Sequence, residues 1–369
     1  MFGGRFPRAC IAAAVSAALS ACSSIGPGTV PRDRADYSAA IGDSWKQQTL
    51  LNIVKLRYGD FPVFMEIAQV IAGYQFQASA GAGFSAQNYI TSAVGGPAAI
   101  AGSGLVGASY IDRPTIIYAP LTGNDFLKKL MSPIPPAAVM FLLQSGYPAT
   151  VVMPIAVDSI NGVANESKRG NMARAGDPQF SRLVQLLYEL QLANALQIRV
   201  ERSKDNSEVS IIVFPPANSA HATPEIAAKI AEIGTILHLS AQRQNMQVRY
   251  GGWSGKGDEI AMVTRSMLQV MVELGVLAHV PEADIAAGKA TRGVSDNPSS
   301  AGQPSLLNIQ SGSAPPSDAY AAVTYKGRWF WIADNDIRSK SIFSSVMLLF
   351  SISEVGIKSA APVVTVPAN

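Results

Sequence analysis

The chain offers almost no thiol chemistry. Its 369 residues include two cysteines, Cys10 and Cys22, and both fall within the first 22 positions. Everything after Cys22 lacks a sulfur for a disulfide, a thiolate-bound zinc ion or a cysteine nucleophile. Charge is scarce too: Asp, Glu, Lys and Arg make up 15% of the residues, against about a quarter in typical soluble domains. The formal net charge of +3 includes Arg5 and Arg8, and the +1 left without them deprives nucleic-acid binding of its main electrostatic argument. Histidine occurs three times, as His221, His238 and His279. None stands in a His-x-x-x-His or His-Glu-x-x-His pair, so a local zinc motif is absent. No Gly-x-Ser-x-Gly elbow occurs. No apolar run after Cys22 reaches the roughly 20 residues of a membrane helix.

What is present begins at the amino terminus. Arg5 and Arg8 give a positive start, Ala9 to Ala18 form a short run of small apolar residues, and Leu19-Ser20-Ala21-Cys22 follows. This order of segments is that of a secretory signal peptide covering residues 1–21. The Leu-Ser-Ala-Cys ending resembles the signal of bacterial lipoproteins. The resemblance implies that the Cys22 sulfur takes a diacylglycerol, that the chain is cut before it, and that the new amino terminus is acylated with a fatty acid such as palmitate. Each buried methylene of such an anchor contributes about 0.8 kcal/mol of membrane affinity. Ser23 follows the cysteine, not the aspartate that retains such proteins in the inner membrane, which implies the outer membrane with the body in the periplasm. With Arg5 and Arg8 removed, the net charge falls from +3 to +1.

Residues 22–35 are rich in Ser, Gly and Pro and read as a tether. A helix is expected over 36–58, with Tyr37, Ile41 and Trp45 on one face and a buried second half. Its Lys46, Lys55 and Arg57 could meet an anionic partner, although solvated or ion-paired side chains are the commoner case. Residues 61–74 read as strand, with Pro62 at its beginning. From Tyr74 to Gln87 apolar or small and polar residues alternate strictly, a period of two that spells β-structure. Leu105 to Tyr118 is the expected return strand, bent at Pro114, with the turn within 93–104.

Further on, Thr122 or Asn124 is expected to cap a short helix and Pro136 to open another. The β-branched run 150–157 reads as a central strand, and 158–176 as an exposed polar loop. Asp177 and Thr223 are expected to start amphipathic helices, with Phe180, Leu183, Leu187 and Leu190 inward on the first. Between them 197–201 and 208–214 form a hairpin. Gln247 to Tyr250 is a short strand, and Asp258 reads as the cap of a helix to about Leu274. Ala321–Tyr325 and Arg328–Ile332 pair across Lys326-Gly327. A last helix covers about 341–354, capped by Asp334, Asp336 or Ser339. The tail from Ser359 suits an edge strand.

Together these elements read as an α+β fold, with antiparallel hairpins and helices in mixed order and no internal repeat. The expected organisation is a main domain over 36–280 that includes the glycine-rich hairpin 74–118. A Pro/Ser/Gly-rich linker or long loop over 281–318 follows, and then a piece over 319–369 that packs back on the main domain.

Chemical candidates are few. Gly251 to Gly257 ends near Lys256 but lacks the Walker spacing, and reads as a strand-to-helix turn. Asp334-Asn335-Asp336 fails the EF-hand test because Ser345 stands at the twelfth position, so helix capping is preferred. Trp329 and Trp331 fall on one face and Phe330 on the other, a partner or sugar-stacking surface or simply sheet core. His238 reads as a helix-end cap. No catalytic residue, cofactor or metal is therefore assigned.

The stretches Ser44 to Tyr58 and Trp329 to Lys340 resemble bacterial envelope lipoproteins of uncharacterised role, a resemblance that implies no activity. The leading expectation is a lipid-anchored, non-enzymatic interaction or assembly subunit of a secretion, export or surface-structure complex, with envelope proteins as partners. The first alternative is a homo-oligomeric outer-membrane pore built with hairpin 74–118, since strands of about 9–11 alternating residues build such barrels. The second is an envelope hydrolase whose dispersed residues gather a histidine with Asp158, Asp177 or Ser254.

The anchor is open to direct test. Cells fed an alkyne-tagged palmitate should label the wild-type chain, and Cys22→Ser should lose the label and leave the membrane fraction. Label retained by Cys22→Ser would refute the assignment.

Overall fold

The structure is a computed structural model that describes residues 30–71, 74–85, 101–112, 114–168, 173–202, 208–215, 223–240, 245–255, 257–293 and 306–353. The fold is α+β, with antiparallel and mixed sheets among helices. The chain divides into two compact units, Met1–Gly42 with Met65–Pro120 and Asp43–Phe64 with Leu121–Asn369.

The first described element is α1, Val30–Arg57. It starts six residues before the expected 36, because Val30 and Pro31 already suit a first turn that needs no donated hydrogen bond. The tether expected over 22–35 thus overlaps the helix. The apolar half predicted to be buried is buried, with Leu50, Ile53 and Val54 fully shielded, whereas Ile41 remains 38% exposed. Gly59 ends the helix in the left-handed conformation at φ 76°, a geometry that suits glycine.

The smaller unit is built from two nested strand pairs. Strand β1, Phe64–Ile71, pairs with β4, Thr115–Leu121, and β2, Tyr74–Ser85, pairs with β3, Ala101–Asp112. The β2·β3 register runs without a bulge from Tyr74↔Asp112 to Ser85↔Ala101. Pro114 separates β3 from β4, as its missing donor requires. Residues 101–104, expected in the turn, already belong to β3 and pair with residues 82–85; the rest of that turn, 93–100, and the end of the alternating run at 86–87 lie outside the described residues.

The larger unit is organised by a six-stranded sheet in the order β6-β5-β10-β9-β8-β7. Its strands are β5 (Val157–Ile160), β6 (Val163–Ala164), β7 (Gln197–Arg202), β8 (Glu208–Val213), β9 (Asn245–Tyr250) and β10 (Glu259–Thr264). Alternation turns one set inward: Met246 and Val248 on β9 are buried, while Asn245, Gln247 and Arg249 are exposed. The inward set packs under helices α3 (Pro136–Gln144), α4 (Ala149–Ala156), α5 (Pro178–Leu192) and α6 (Pro224–Ile236), with α2 (Asn124–Met131) and α7 (Met267–Gly275) following the same core. Helix α5 buries Phe180, Leu183, Leu187 and Leu190, the face its periodicity predicts. Gly275 lets α7 approach α1: a Cβ there would sit 3.0 Å from the Ile53 carbonyl oxygen.

A three-stranded sheet, β11 (Gln310–Gly312), β13 (Arg328–Ala333) and β12 (Ala319–Tyr325), completes the unit with α8 (Glu282–Ala286) and α9 (Ile337–Ser353). The β12–β13 hairpin turns at Lys326 (φ 49°) and Gly327 (φ 77°), the two positive φ values of a tight two-residue turn. Phe330 is fully buried and meets Tyr58 edge-on at 6.1 Å.

Several expectations fail, each for a physical reason. Residues 149–156 form helix α4, not a central strand, with Pro154 inside it. A short apolar run looks the same whether it is buried as helix or strand, and Gln191 settles the matter by accepting the Ala149 amide at 2.8 Å. Residues 158–168 are not the exposed loop expected over 158–176: Asn161, Asn165 and Ser167 are buried, and most of β5 and all of β6 lie there, whereas 173–175 are exposed as expected and 169–172 lie outside the described residues. Asp258 caps no helix, because β10 intervenes and α7 opens at the Ser266–Gln269 capping box. Gly123 stands at the cap of α2, with no side-chain cap from Thr122 or Asn124. Residues 281–318 are only partly a linker, since α8 and β11 lie in them and Leu307 and Ile309 are fully buried. The edge strand expected from Ser359 lies outside the described residues.

Phe330→Ala should cost about 3–5 kcal/mol of stability, the range for an aromatic removed from a packed core. Urea unfolding of the detergent-solubilised protein measures it, and a loss below about 1 kcal/mol would contradict the burial.

Candidate functional site

The most elaborate loop in the larger unit joins β9 to β10. These strands run parallel, with Gln247 opposite Glu259 and Tyr250 opposite Met262. Residues 251–258 must therefore carry the chain back along the sheet, a shorter return than the usual dozen or more residues. The loop leads from strand to strand, correcting the strand-to-helix turn expected of Gly251 to Gly257. It offers no helix N-terminus to an anion. Trp253 stacks on His238, with centroids 5.2 Å apart and planes inclined by 18°. His238 sits just past α6 at φ 53°. The capping expected of its imidazole falls to backbone amides instead: Leu239 N donates to the Gly234 carbonyl at 2.8 Å.

The residues proposed for a dispersed hydrolase site are engaged separately. Ser254 Oγ donates to Glu259 Oε1 at 2.7 Å, and Arg249 donates to the same oxygen at 2.5 Å. Asp158 accepts from Arg174 at 3.2 Å. Asp177 caps α5 through the Gln179 amide at 2.9 Å. His279 Nδ1 lies 3.0 Å from Ser311 Oγ, and His221 is outside the described residues. Asp336 accepts from Ser339 N at 3.0 Å and from Ser339 Oγ at 2.7 Å, the cap expected of α9. Asp334 pairs with Lys340 at 2.7 Å. Among the described residues no group of three or more His, Cys, Asp or Glu side chains is placed to hold a metal. A cavity of about 20 Å³ lies under the six-stranded sheet, lined by Met140, Met153, Ile198, Phe214, Leu237 and other apolar side chains. A water or polar ligand there would have no hydrogen-bond partner.

A second cluster surrounds the end of α1. Arg57 is buried at 5% exposure, and its guanidinium donates to the carbonyls of Ala278 and Thr291 and to Thr291 Oγ1. These bonds turn the guanidinium into the fold, away from solvent. Lys46 pairs with Asp43 at 2.6 Å. Tyr58 donates its hydroxyl to Asp284 Oδ2 at 2.9 Å, and Lys326 lies 5.0 Å over its ring. Burial pushes the Tyr58 phenol well above its ordinary range, and the hydrogen bond to Asp284 and its negative charge push it further. Sequence periodicity placed Arg57 and Tyr58 on α1. Their partners lie more than 220 residues away along the chain, and no local signal announces them.

The smaller unit presents a different surface. Directly opposed residues of an antiparallel pair share a face. By the register, Tyr74, Phe76, Ala78, Ala80, Ala82 and Phe84 share a face with Asp112, Tyr110, Ala108, Val106, Gly104 and Gly102. Gln75, Gln77, Ser79, Gly81, Gly83 and Ser85 share the other with Ile111, Ser109, Gly107, Leu105, Ser103 and Ala101. The pairing therefore aligns the aromatic and alanine row of β2 with the apolar Tyr110, Ala108 and Val106 of β3. On the neighbouring pair Met65, Ile116, Ile117 and Tyr118 are 46%, 39%, 43% and 52% exposed. Three consecutive exposed residues on β4 leave apolar surface on both faces of that pair.

No protein-family model, curated protein or solved structure matches the chain.

The Tyr58 environment makes a signed prediction. Its folded-state affinity for the proton is raised, so the stability it contributes is complete below the unfolded value of about pH 10 and declines as pH rises beyond it. The stability gap between wild type and Tyr58→Phe should hold between roughly pH 8 and 10 and shrink between about pH 10 and 11. Urea midpoints across that range measure the gap, and a constant gap would show that the phenol proton is not held by the fold.

Proposed function

We propose that this protein is a lipid-anchored, non-enzymatic assembly subunit of the bacterial cell envelope, tethered to the outer membrane through acylated Cys22 with its body in the periplasm. The observation that carries the reading is a juxtaposition within one chain. A leader ending in Leu19-Ser20-Ala21-Cys22 accompanies a unit of two strand pairs, on one of which Met65, Ile116, Ile117 and Tyr118 stand exposed. Exposed apolar surface of this kind marks contact with another protein or with a membrane. The nucleophiles, carboxylates and histidines described above are spent on caps, turns and ion pairs. That supports assembly over a hydrolase working through Asp158, Asp177 or Ser254. The low content of charge, 15%, agrees with a surface that is covered in use.

Lipid anchoring fixes the geometry of such a subunit. A triacylated amino terminus confines the chain to one membrane leaflet and raises its local concentration, so contacts too weak to form in free solution become effective. No helix of the described residues is long and apolar enough to cross a membrane. Under this reading, attachment rests on the acyl chains and on whatever the ribbon contacts.

Purification from detergent-solubilised membranes through a carboxy-terminal tag tests the proposal. The wild-type chain should emerge at a native mass above that of one chain, either as copies of itself or with foreign chains in fixed proportion. A lone monomer in the membrane fraction would count against an assembly role.

A further inference from the structure

We infer that the β2·β3 ribbon is one repeat of a closed, transmembrane β-barrel shared among copies of this chain, with β2 of each copy paired to β3 of the next. The inference deepens the assembly reading and rests on it.

Three observations lead to it. First, the ribbon has two unguarded edges. Among the described residues neither β2 nor β3 pairs with a third strand. Native edge strands are normally blunted by lysine, proline, bulges or shortness. Here both strands are twelve residues long and their register is unbroken. Neither contains proline, and their only charged residue is Asp112, at the end of the pair. Second, an isolated two-stranded hairpin is marginal in water, and among the described residues no third strand widens this one. A neighbour must supply what the fold leaves out. Third, the length and pattern match a bilayer. Twelve residues extend about 40 Å, and a tilt of about 35–45° reduces that to roughly 30 Å of height, the thickness of the hydrocarbon core. The aligned Phe76, Ala80, Ala108 and Val106 row then meets lipid, and the Gln77, Ser79 and Ser109 row faces the lumen.

A second copy is the occupant that satisfies every edge. Within one copy β2 and β3 run antiparallel, so placing β3 beside the next β2 preserves the alternation around a ring. Such head-to-tail contacts close by rotation, and closure removes all edges, the condition for strands in lipid. A foreign strand would cover one edge and leave the other. Two strands per copy give an even strand number. Barrels of about 8 strands are filled by side chains, whereas those of 16 or more hold an aqueous channel. A water-filled pore therefore requires roughly eight copies or more.

The scarcity of thiols makes the test clean, because Cys22 is the only cysteine after the leader and acylation consumes it. In the full-length chain, Gln77→Cys is combined with a second cysteine walked along β3 at Ser103, Leu105, Gly107 and Ser109. Ser109 is the partner of Gln77 within one copy, so that pair reports the internal register. The Ser103 and Leu105 positions lie four or six residues further along the strand, on the order of 13–20 Å away, beyond the reach of an internal disulfide. Oxidation in membranes should give a ladder of covalent multimers at one of the shifted spacings. The native mass of the extracted protein should be at least about eightfold that of one chain, and it should conduct ions across a planar bilayer. Replacing 78–108 by a short Gly-Ser turn should return the mass to one chain, with the protein still in the membrane fraction and its circular dichroism retained outside the lost strands. Multimers that survive this replacement, or a wild type that forms no intermolecular link at any spacing, would overturn the inference. Foreign chains bound to a single copy would overturn the ring while leaving the assembly reading intact. Release of the wild type from membranes would defeat the anchor itself.

Discussion

A sheet with one packed face imposes its asymmetry on everything joined to it, and the larger unit follows from that constraint. The inward residues of β5, β7, β8, β9 and β10 form a continuous apolar floor, and α3 to α6 exist to cover it. Strands β7 and β9 alternate buried and exposed positions, as one-sided burial requires, while β10, paired on both edges, buries Ile260, Ala261 and Met262 in succession. Loops inherit the same constraint. Because β9 and β10 run parallel, their eight-residue connector has to double back, and Trp253 on His238 holds it down.

Polar side chains inside this unit serve as stitches between segments distant in sequence. Asn161 donates to the carbonyls of Leu237 and Glu259 and accepts the Ala261 amide, tying the turn after β5 to β10 and to the end of α6. Glu273 accepts from Ser167 Oγ and from the Lys168 amide, and Arg265 donates to the Pro154 and Glu166 carbonyls. Each such group would be expensive to bury alone, since an unpaired polar atom in the interior forfeits its hydration without return. Paired in this way, Asn161, Glu273 and Arg265 let irregular backbone run through a core.

The ribbon follows the opposite logic. Its register is unbroken from end to end, and among the described residues no third strand pairs with either edge. Two strands can satisfy each other's inner edges and nothing more. In a chain whose leader resembles a lipidation signal, the missing surface is readily supplied by neighbours held in the same membrane, and the proposed barrel expresses that complementarity.

Much of this was legible in the linear chain wherever the cause is local. The strict alternation from Tyr74 reads as strand because period two belongs to no helix. Phe180, Leu183, Leu187 and Leu190 read as one helical face. Asp177, Thr223 and Asp336 read as caps because their oxygens reach amides two or three residues away. The Lys326-Gly327 turn follows from the conformations those residues tolerate. The leader is read in the same way, as a short ordered set of residue types, and the functional proposal rests largely on that reading. Other features waited for the fold. Whether 149–156 is helix or strand depends on Gln191. The burial of 158–168 depends on Glu273 and Arg265, and the fate of Arg57 on Thr291. Burial of a short run and pairing of a charge are properties of what lies opposite in space, and sequence separation of 40 to more than 200 residues erases them from any local pattern.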